Sequence, residues 1–335
     1  MVDNINRSIP KLYEAFQDCF DIGAAVNPRT IVQAGDLIAH HYNSLTAENE
    51  MKFESLHPAE DTYTFEAADK IVGFARKYRK KMRGHTLVWH NQTSDWLFQD
   101  SDGESVSPDT LLARLKSHIN TVVKRYQGDI YAWDVVNEAI ADEGAELLRP
   151  SKWTEIAGPS FIASAFEFAH EADPKALLFY NDYNESHPLK REKIYALLQS
   201  LRSQGVPVHG VGLQTHWNLY DPGLDEIRVA IERYASLGLV LHLTEMDISV
   251  FRFEDRRGDL TSPTEEMLEL QARKYEAVFS MLREYRDVID SVTFWGAADD
   301  YTWLDDFPVR GRKNWPLLFD EKHQPKPSFW GVVSQ

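Results

Sequence analysis

Residues 132–138 read AWDVVNE: a short apolar run closed by Asn137 and Glu138. A run of that length, rich in Trp and Val, fits a strand buried on both faces. Seven more such runs lie at residues 21–26, 43–47, 82–88, 176–180, 208–213, 239–243 and 292–295. Between them stand amphipathic stretches with apolar residues three or four apart, at 65–78, 108–126, 161–172, 189–203, 224–236 and 263–285. That spacing predicts helices. Ser107 followed by Pro108 reads as a helix start, and Gly238 as a helix C-cap. Eight buried strands alternating with helices predict an α/β fold, the (β/α)8 or TIM barrel. An open doubly wound sheet would carry a Gly-rich phosphate turn after an early strand, and residues 21–28 hold only Gly23. The 335 residues exceed the length of about 250 typical of the barrel, so residues 91–105, 140–159 and 251–262 read as extended loops.

In such a barrel the reactive groups stand at the C-terminal ends of the strands. The second strand is followed by Glu48, Asn49 and Lys52, and the third carries His85, Trp89 and His90. The fourth ends in Asn137-Glu138, the fifth in Asn181-Asp182-Tyr183-Asn184, and the sixth in Gln214-Thr215-His216-Trp217. The seventh ends in Thr244-Glu245-Met246-Asp247, and the eighth in Trp295 with Trp303 beyond it. Glu138 and Glu245 each directly follow an apolar run. A single Glu there is explained by a helix start or an ion pair. Two of them, in a ring of His, Asn, Gln and Trp, match the needs of glycosidic cleavage. One carboxyl group must deliver a proton to the leaving oxygen, and an ionised one must meet the anomeric carbon.

Composition excludes other classes. Thirty-six basic and 52 acidic residues leave a net charge of −16, which repels nucleic-acid phosphates and anionic lipid. Cys19 is the only cysteine, so an intrachain disulfide and a cysteine-rich metal centre are ruled out. The histidines show no HxH or HExxH spacing, so no metal site is expected, and His40, His41 and His242 read as structural. Lys52 sits among Glu and Asn, where binding hydroxyl groups is more natural for it than forming a Schiff base. Aromatic residues make up 12%, with nine Trp, most beside polar neighbours. Such surfaces suit sugar rings. Trp153, Trp315 and Trp330 read as core or loop-packing aromatics.

The chain resembles glycoside hydrolase family 10, the endo-β-1,4-xylanases. The matching segments are NSLTAENEMKF (43–53), RGHTLVWHNQ (83–92), WDVVNEA (133–139), LFYNDYN (178–184), GVGLQTHW (210–217), LTEMDIS (243–249) and TFWGAADDYTWL (293–304). They stand in family order and run almost end to end, so the resemblance implies one catalytic domain over 1–335. It implies a retaining enzyme with Glu138 as acid/base and Glu245 as nucleophile. By the same resemblance, Glu48, Asn49 and Lys52 bind hydroxyl groups on the glycone side. His85, Trp89 and Gln214 surround the sugar at the cleavage point, and Asn137 holds its 2-hydroxyl. His216 hydrogen-bonds the nucleophile and Asp247 orients the His216 region. Trp295 and Trp303 form an aromatic wall, and Tyr183 lies toward the leaving group. Met246 stands where the family usually has Leu, and Phe53 where Trp is commoner, while Ala297-Ala298 fall in a variable stretch. No cofactor is implied, the partner expected is xylan or a xylo-oligosaccharide, and no oligomeric state follows.

Residues 1–16, MVDNINRSIPKLYEAF, lack the basic and then apolar regions of a signal peptide, and no run of about 18 apolar residues occurs. A cytoplasmic enzyme acting on short imported xylo-oligosaccharides is therefore expected. A cellulase or mannanase of the same clan is the alternative.

Overall fold

The structure is a computed structural model and describes residues 9–334. Nine strands occur among the described residues: β1 (Asp21–Val26), β2 (Ser44–Ala47), β3 (Lys81–Val88), β4 (Ile130–Asn137), β5 (Leu177–Asp182), β6 (Gly210–Leu213), β7 (His216–Asn218), β8 (Val240–Ser249) and β9 (Ile289–Phe294). Neighbours pair in parallel in the order β6-β5-β4-β3-β2-β1-β9-β8, and β6 pairs with β8 to close an eight-stranded barrel. The short β7 adds to the mouth by pairing with the outer end of β8, His216 opposite Asp247 and Asn218 opposite Ser249.

The helices cover the outside for local reasons. Over Pro108–Arg125 the side chain of Ser107 accepts the N–H of Thr110 and Pro108 takes the first turn. Its buried residues Leu111, Leu115, Ile119, Val122 and Val123 recur at helical spacing. Each such burial contributes about 1.5–3 kcal/mol. Thr264 caps Glu265–Glu284 in the same way, through the N–H of Met267. After the helix Leu224–Ala235, Gly238 turns the chain at φ +66° with its N–H on the Ala235 carbonyl. The helix Gly35–His41, between β1 and β2, carries no strong periodic signal in the sequence.

Two of the extended loops carry elements of their own. The loop after β4 forms a bridge between Ile140 and Leu148, then the helix Lys152–Ala157 capped by Ser151. The loop after β3 holds the turn Asp95–Leu97. Trp153 and Trp315 are buried, but Trp330 is 43% exposed, which corrects its reading as a packing aromatic. It stands one position beyond the buried Phe329 on a terminal helix that turns it outward. Residues 1–8, part of the stretch behind the expectation about a leader, lie outside the described residues. Among the described residues no helix is long and apolar enough to cross a membrane.

Candidate active site

Glu138 follows β4 directly, whereas Glu245 lies within β8, which runs on to Ser249. Two non-glycine residues at this mouth, Glu138 and Thr215, hold φ of +58°. That conformation costs of order 1–3 kcal/mol each and persists only where surrounding contacts impose it.

The two carboxylates are joined by side-chain amides. Glu138 Oε1 accepts from Gln214 Nε2 at 2.9 Å and from Asn137 Nδ2 at 3.3 Å. Its Oε2 accepts from the indole Nε1 of Trp89 at 2.8 Å. Gln214 also donates to Asn137 Oδ1 at 3.2 Å, and Asn181 Nδ2 donates to that same oxygen at 2.9 Å. Asn181 Nδ2 reaches Glu245 Oε1 at 2.8 Å. Asn181 is oriented by Thr244, whose hydroxyl donates to its Oδ1 at 2.6 Å. A Cβ on Gly212 would stand 2.2 Å from that oxygen, so only glycine leaves room for the amide.

The electrostatics of the two acids differ. Burial pushes Glu245 up, but the hydrogen bond from His216 and the charge of His85 outweigh it and hold the carboxyl below its usual range. His216 Nε2 lies 3.1 Å from Glu245 Oε2, and its Nδ1 lies 3.0 Å from Asp247 Oδ2. Burial alone would strip the imidazole of its proton, yet Asp247 and Glu245 together push it up to about 10. At neutral pH it is therefore an imidazolium donating to both. Asp247 Oδ2 also accepts from Trp303 Nε1 at 2.8 Å. Trp303 packs against His216 with ring centroids 4.8 Å apart, and Trp295 meets the edge of His85 at 5.3 Å.

Beneath the acids the barrel interior is charged. Arg83 and Asp134 form a buried two-contact pair at 2.6 and 3.2 Å, and Arg83 Nε donates to His242 at 3.0 Å. His85 Nδ1 lies 2.9 Å from Asp134 and 4.0 Å from Glu245 Oε1. Burial raises Asp134, but Arg83 and His85 override it and bring the carboxyl down to about 2.

A second cluster stands beside the carboxylates. Lys52 Nζ donates to Asn49 Oδ1 at 2.9 Å and Gln92 Oε1 at 3.0 Å, and lies 4.7 Å from the centre of the Trp89 ring. Burial pulls the Lys52 amine down against the fields of Glu245, Glu48, Glu138 and Glu50. Glu48 accepts from Asn27 Nδ2 at 2.9 Å, and burial together with the nearby Glu48 pushes the Tyr301 phenol up. Tyr183 stands apart from this cluster, its hydroxyl donating to Asp142 at 2.6 Å and accepting from Arg149 at 2.7 Å.

The sequence reading placed Asn181 at the mouth without giving it a role, and it did not single out Gln92, Asn27, Tyr301, Arg83 or Asp134. Asn181 and Asn27 carried a usable signal, since each sits at the polar end of an apolar run. The others did not. Gln92 and Tyr301 lie in loops, and Arg83 and Asp134 sit inside otherwise apolar strands. The loop residue Arg149 was also missed.

Buried acids, amide donors and indoles at the mouth of a parallel barrel are the equipment for cleaving an acetal. A sequence model of glycosyl hydrolase family 10 matches residues 11–335. An endo-1,4-beta-xylanase of Geobacillus stearothermophilus is 62% identical, over 98% of this chain and 99% of its own length. Endo-1,4-beta-xylanase B of Paenibacillus barcinonensis is 59% identical, over 99% of this chain and 100% of its own. The crystal structure of xylanase XynB from Paenibacillus barcinonensis, in complex with a conduramine derivative, superposes with a TM-score of 0.96 at 60% identity and covers 98% of this chain and 99% of that one. With the family pattern running from residue 11 to the last residue, and relatives this similar along nearly their whole lengths, the chain belongs to glycosyl hydrolase family 10.

Proposed function

We propose that this protein is a retaining endo-1,4-β-xylanase that works by double displacement, with Glu245 as nucleophile and Glu138 as acid/base. The observation that carries the assignment is the unequal treatment of the two acids. Glu245 takes an imidazolium N–H on one oxygen and an amide N–H on the other, which keeps it charged. Among the described residues the hydrogen-bond donors to Glu138 are the neutral Trp89, Gln214 and Asn137. The kind of relative named above supports xylan as the substrate class.

In the first step Glu245 attacks the anomeric carbon while Glu138 gives its proton to the departing glycosidic oxygen. The negative charge of Glu245 is consumed in the ester bond. Glu138, now a carboxylate, takes a proton from water, which attacks the same carbon and releases Glu245. A retaining displacement of this kind calls for carboxyl groups about 5–5.5 Å apart. Asn137 meets the 2-hydroxyl in this reading, a contact that strengthens as the transition state forms. Glu48, Asn49 and Lys52 serve hydroxyl groups on the glycone side, His85 and Gln214 flank the sugar at the cleavage point, and Trp295 and Trp303 supply its apolar wall. Tyr183 faces the leaving-group side, Asp247 holds His216, and Trp89 serves the sugar partly through its bond to Glu138. The whole chain, 1–335, acts as one catalytic domain. Short xylo-oligosaccharides inside the cell are the substrate we propose; a strong preference for polymeric xylan, or activity outside the native host's cells, would count against that.

The assignment is tested with Glu245→Ala and Glu138→Ala acting on a xylobioside with an activated phenol. Azide added to Glu245→Ala should yield the α-azide, and added to Glu138→Ala the β-azide. The same anomer from both variants would overturn the assignment.

A further inference from the structure

Behind Glu138 lies a buried polar group that the proposed chemistry does not use. The Tyr180 hydroxyl accepts the backbone N–H of Ala139 at 3.0 Å and of Ile140 at 3.1 Å, the two residues after Glu138. It gives its own proton to Asp182 Oδ2. Both side chains are fully buried. Asp182 Oδ1 in turn accepts the Tyr183 N–H at 2.9 Å and lies 3.2 Å from Lys190 Nζ. On the other side of the same turn, Arg149 Nε donates to the Glu138 carbonyl at 3.2 Å. Lys190 also holds the Ile140 carbonyl at 3.3 Å. The backbone from Glu138 to Ile140 is thus gripped at two N–H groups and two carbonyls by side chains from elsewhere in the chain.

A phenol oxygen has one proton and two lone pairs. With Asp182 taking the proton, both lone pairs are free for the two amides. Phe at this position would leave two buried N–H groups without a partner, beside a residue held at φ +58°. The carbonyl contacts of Arg149 and Lys190 remain, but with both N–H anchors lost the strained turn shifts and carries the Glu138 carboxyl with it. A shift of about 1 Å at a reacting group can cost on the order of a hundredfold in rate.

We propose that Tyr180, with Asp182 as its proton acceptor, is a positioning residue for Glu138, holding the turn that aims the acid/base at the glycosidic oxygen. This inference rests on the reading of Glu138 as acid/base. Its consequence is selective. Formation of the glycosyl–enzyme depends on where Glu138 points only when the leaving group needs a proton, whereas the later attack of water depends on it for every substrate.

The test compares kcat/KM, which reports formation of the glycosyl–enzyme, for Tyr180→Phe on two substrates. One is 2,4-dinitrophenyl β-xylobioside, whose leaving group needs no proton. The other is xylotetraose, whose leaving group does. The expected result is a fall of about tenfold or more on xylotetraose, with the dinitrophenyl substrate within about twofold of wild type. Equal losses on both, or none on either, would overturn the proposal. Glu138→Ala runs beside it. If that variant lacks the split, the acid/base reading fails. If it has the split and Tyr180→Phe does not, only the positioning role fails. Should Tyr180→Phe not fold, Arg149→Met releases the Glu138 carbonyl from the half-buried side and is judged by the same split.

Discussion

Glu245 takes its charge compensation from His216, whose Nε2 lies 3.1 Å from Glu245 Oε2. Because Asp247 holds the opposite ring nitrogen at 3.0 Å, the imidazolium is shared between two acids and is kept against Glu245. The folded protein therefore binds a proton on His216 more tightly than the unfolded chain does.

That difference sets a pH dependence of stability. The His216 contribution is complete below the ordinary histidine value of 6.5 and is lost as pH rises through about 10. Thermal unfolding of wild type and His216→Gln, from about pH 6 to about pH 10, should show the wild type losing the larger part of its midpoint. Parallel curves would mean that the imidazole carries no extra proton.

The Arg83–Asp134 pair behaves with the opposite sign. Asp134 is held down at about 2, so its contribution is present above the ordinary 3.8 and is lost as pH falls toward 2. Asp134→Asn leaves Arg83 buried beside a neutral amide, and the expected loss is about 3–5 kcal/mol in denaturant unfolding. Replacing Arg83 by Met in the same variant should recover part of it. A loss under about 1 kcal/mol would contradict the buried-charge account.

Gly212→Ala drives a Cβ to 2.2 Å from Asn181 Oδ1. Asn181 must move, and with it the donor to Glu245. Activity should fall at least about tenfold, while stability falls by about 1–3 kcal/mol, the usual range for overpacking. Full activity in a folded variant would show that the Asn181 amide is dispensable.

Trp89→Phe keeps an aromatic ring beside Lys52 but removes the N–H that meets Glu138 Oε2 at 2.8 Å. The carboxylate that forms on Glu138 as it gives up its proton would lose this donor, and a hydrogen bond to a charged group contributes about 1.5–3 kcal/mol, so kcat/KM on xylo-oligosaccharides should drop about tenfold or more. Kinetics within about twofold of wild type would assign Trp89 to stacking alone.

The barrel was readable because its strands are apolar on both faces and its helices repeat at their own period. Glu138 and Glu245 were readable because a charged residue right after, or within, such a run needs a reason. The short β7 was missed because three residues carry no period. Glu245 was expected at the close of its strand but lies inside β8, because pairing with β7 and β9 extends that strand past the apolar run. Arg83 and Asp134 gave no warning, since their mutual neutralisation is a fact of space and not of sequence. Tyr180 looked like one more buried aromatic. Its hydroxyl matters because the Glu138 turn, distant along the chain, comes down upon it.

The most direct test of the two-carboxylate account follows hydrolysis of a xylo-oligosaccharide by proton NMR before the new reducing ends mutarotate. The account requires the β-anomer to appear first, with the α-anomer growing in only at the spontaneous rate. Initial release of the α-anomer would mean single displacement by water, and would contradict Glu245 as nucleophile.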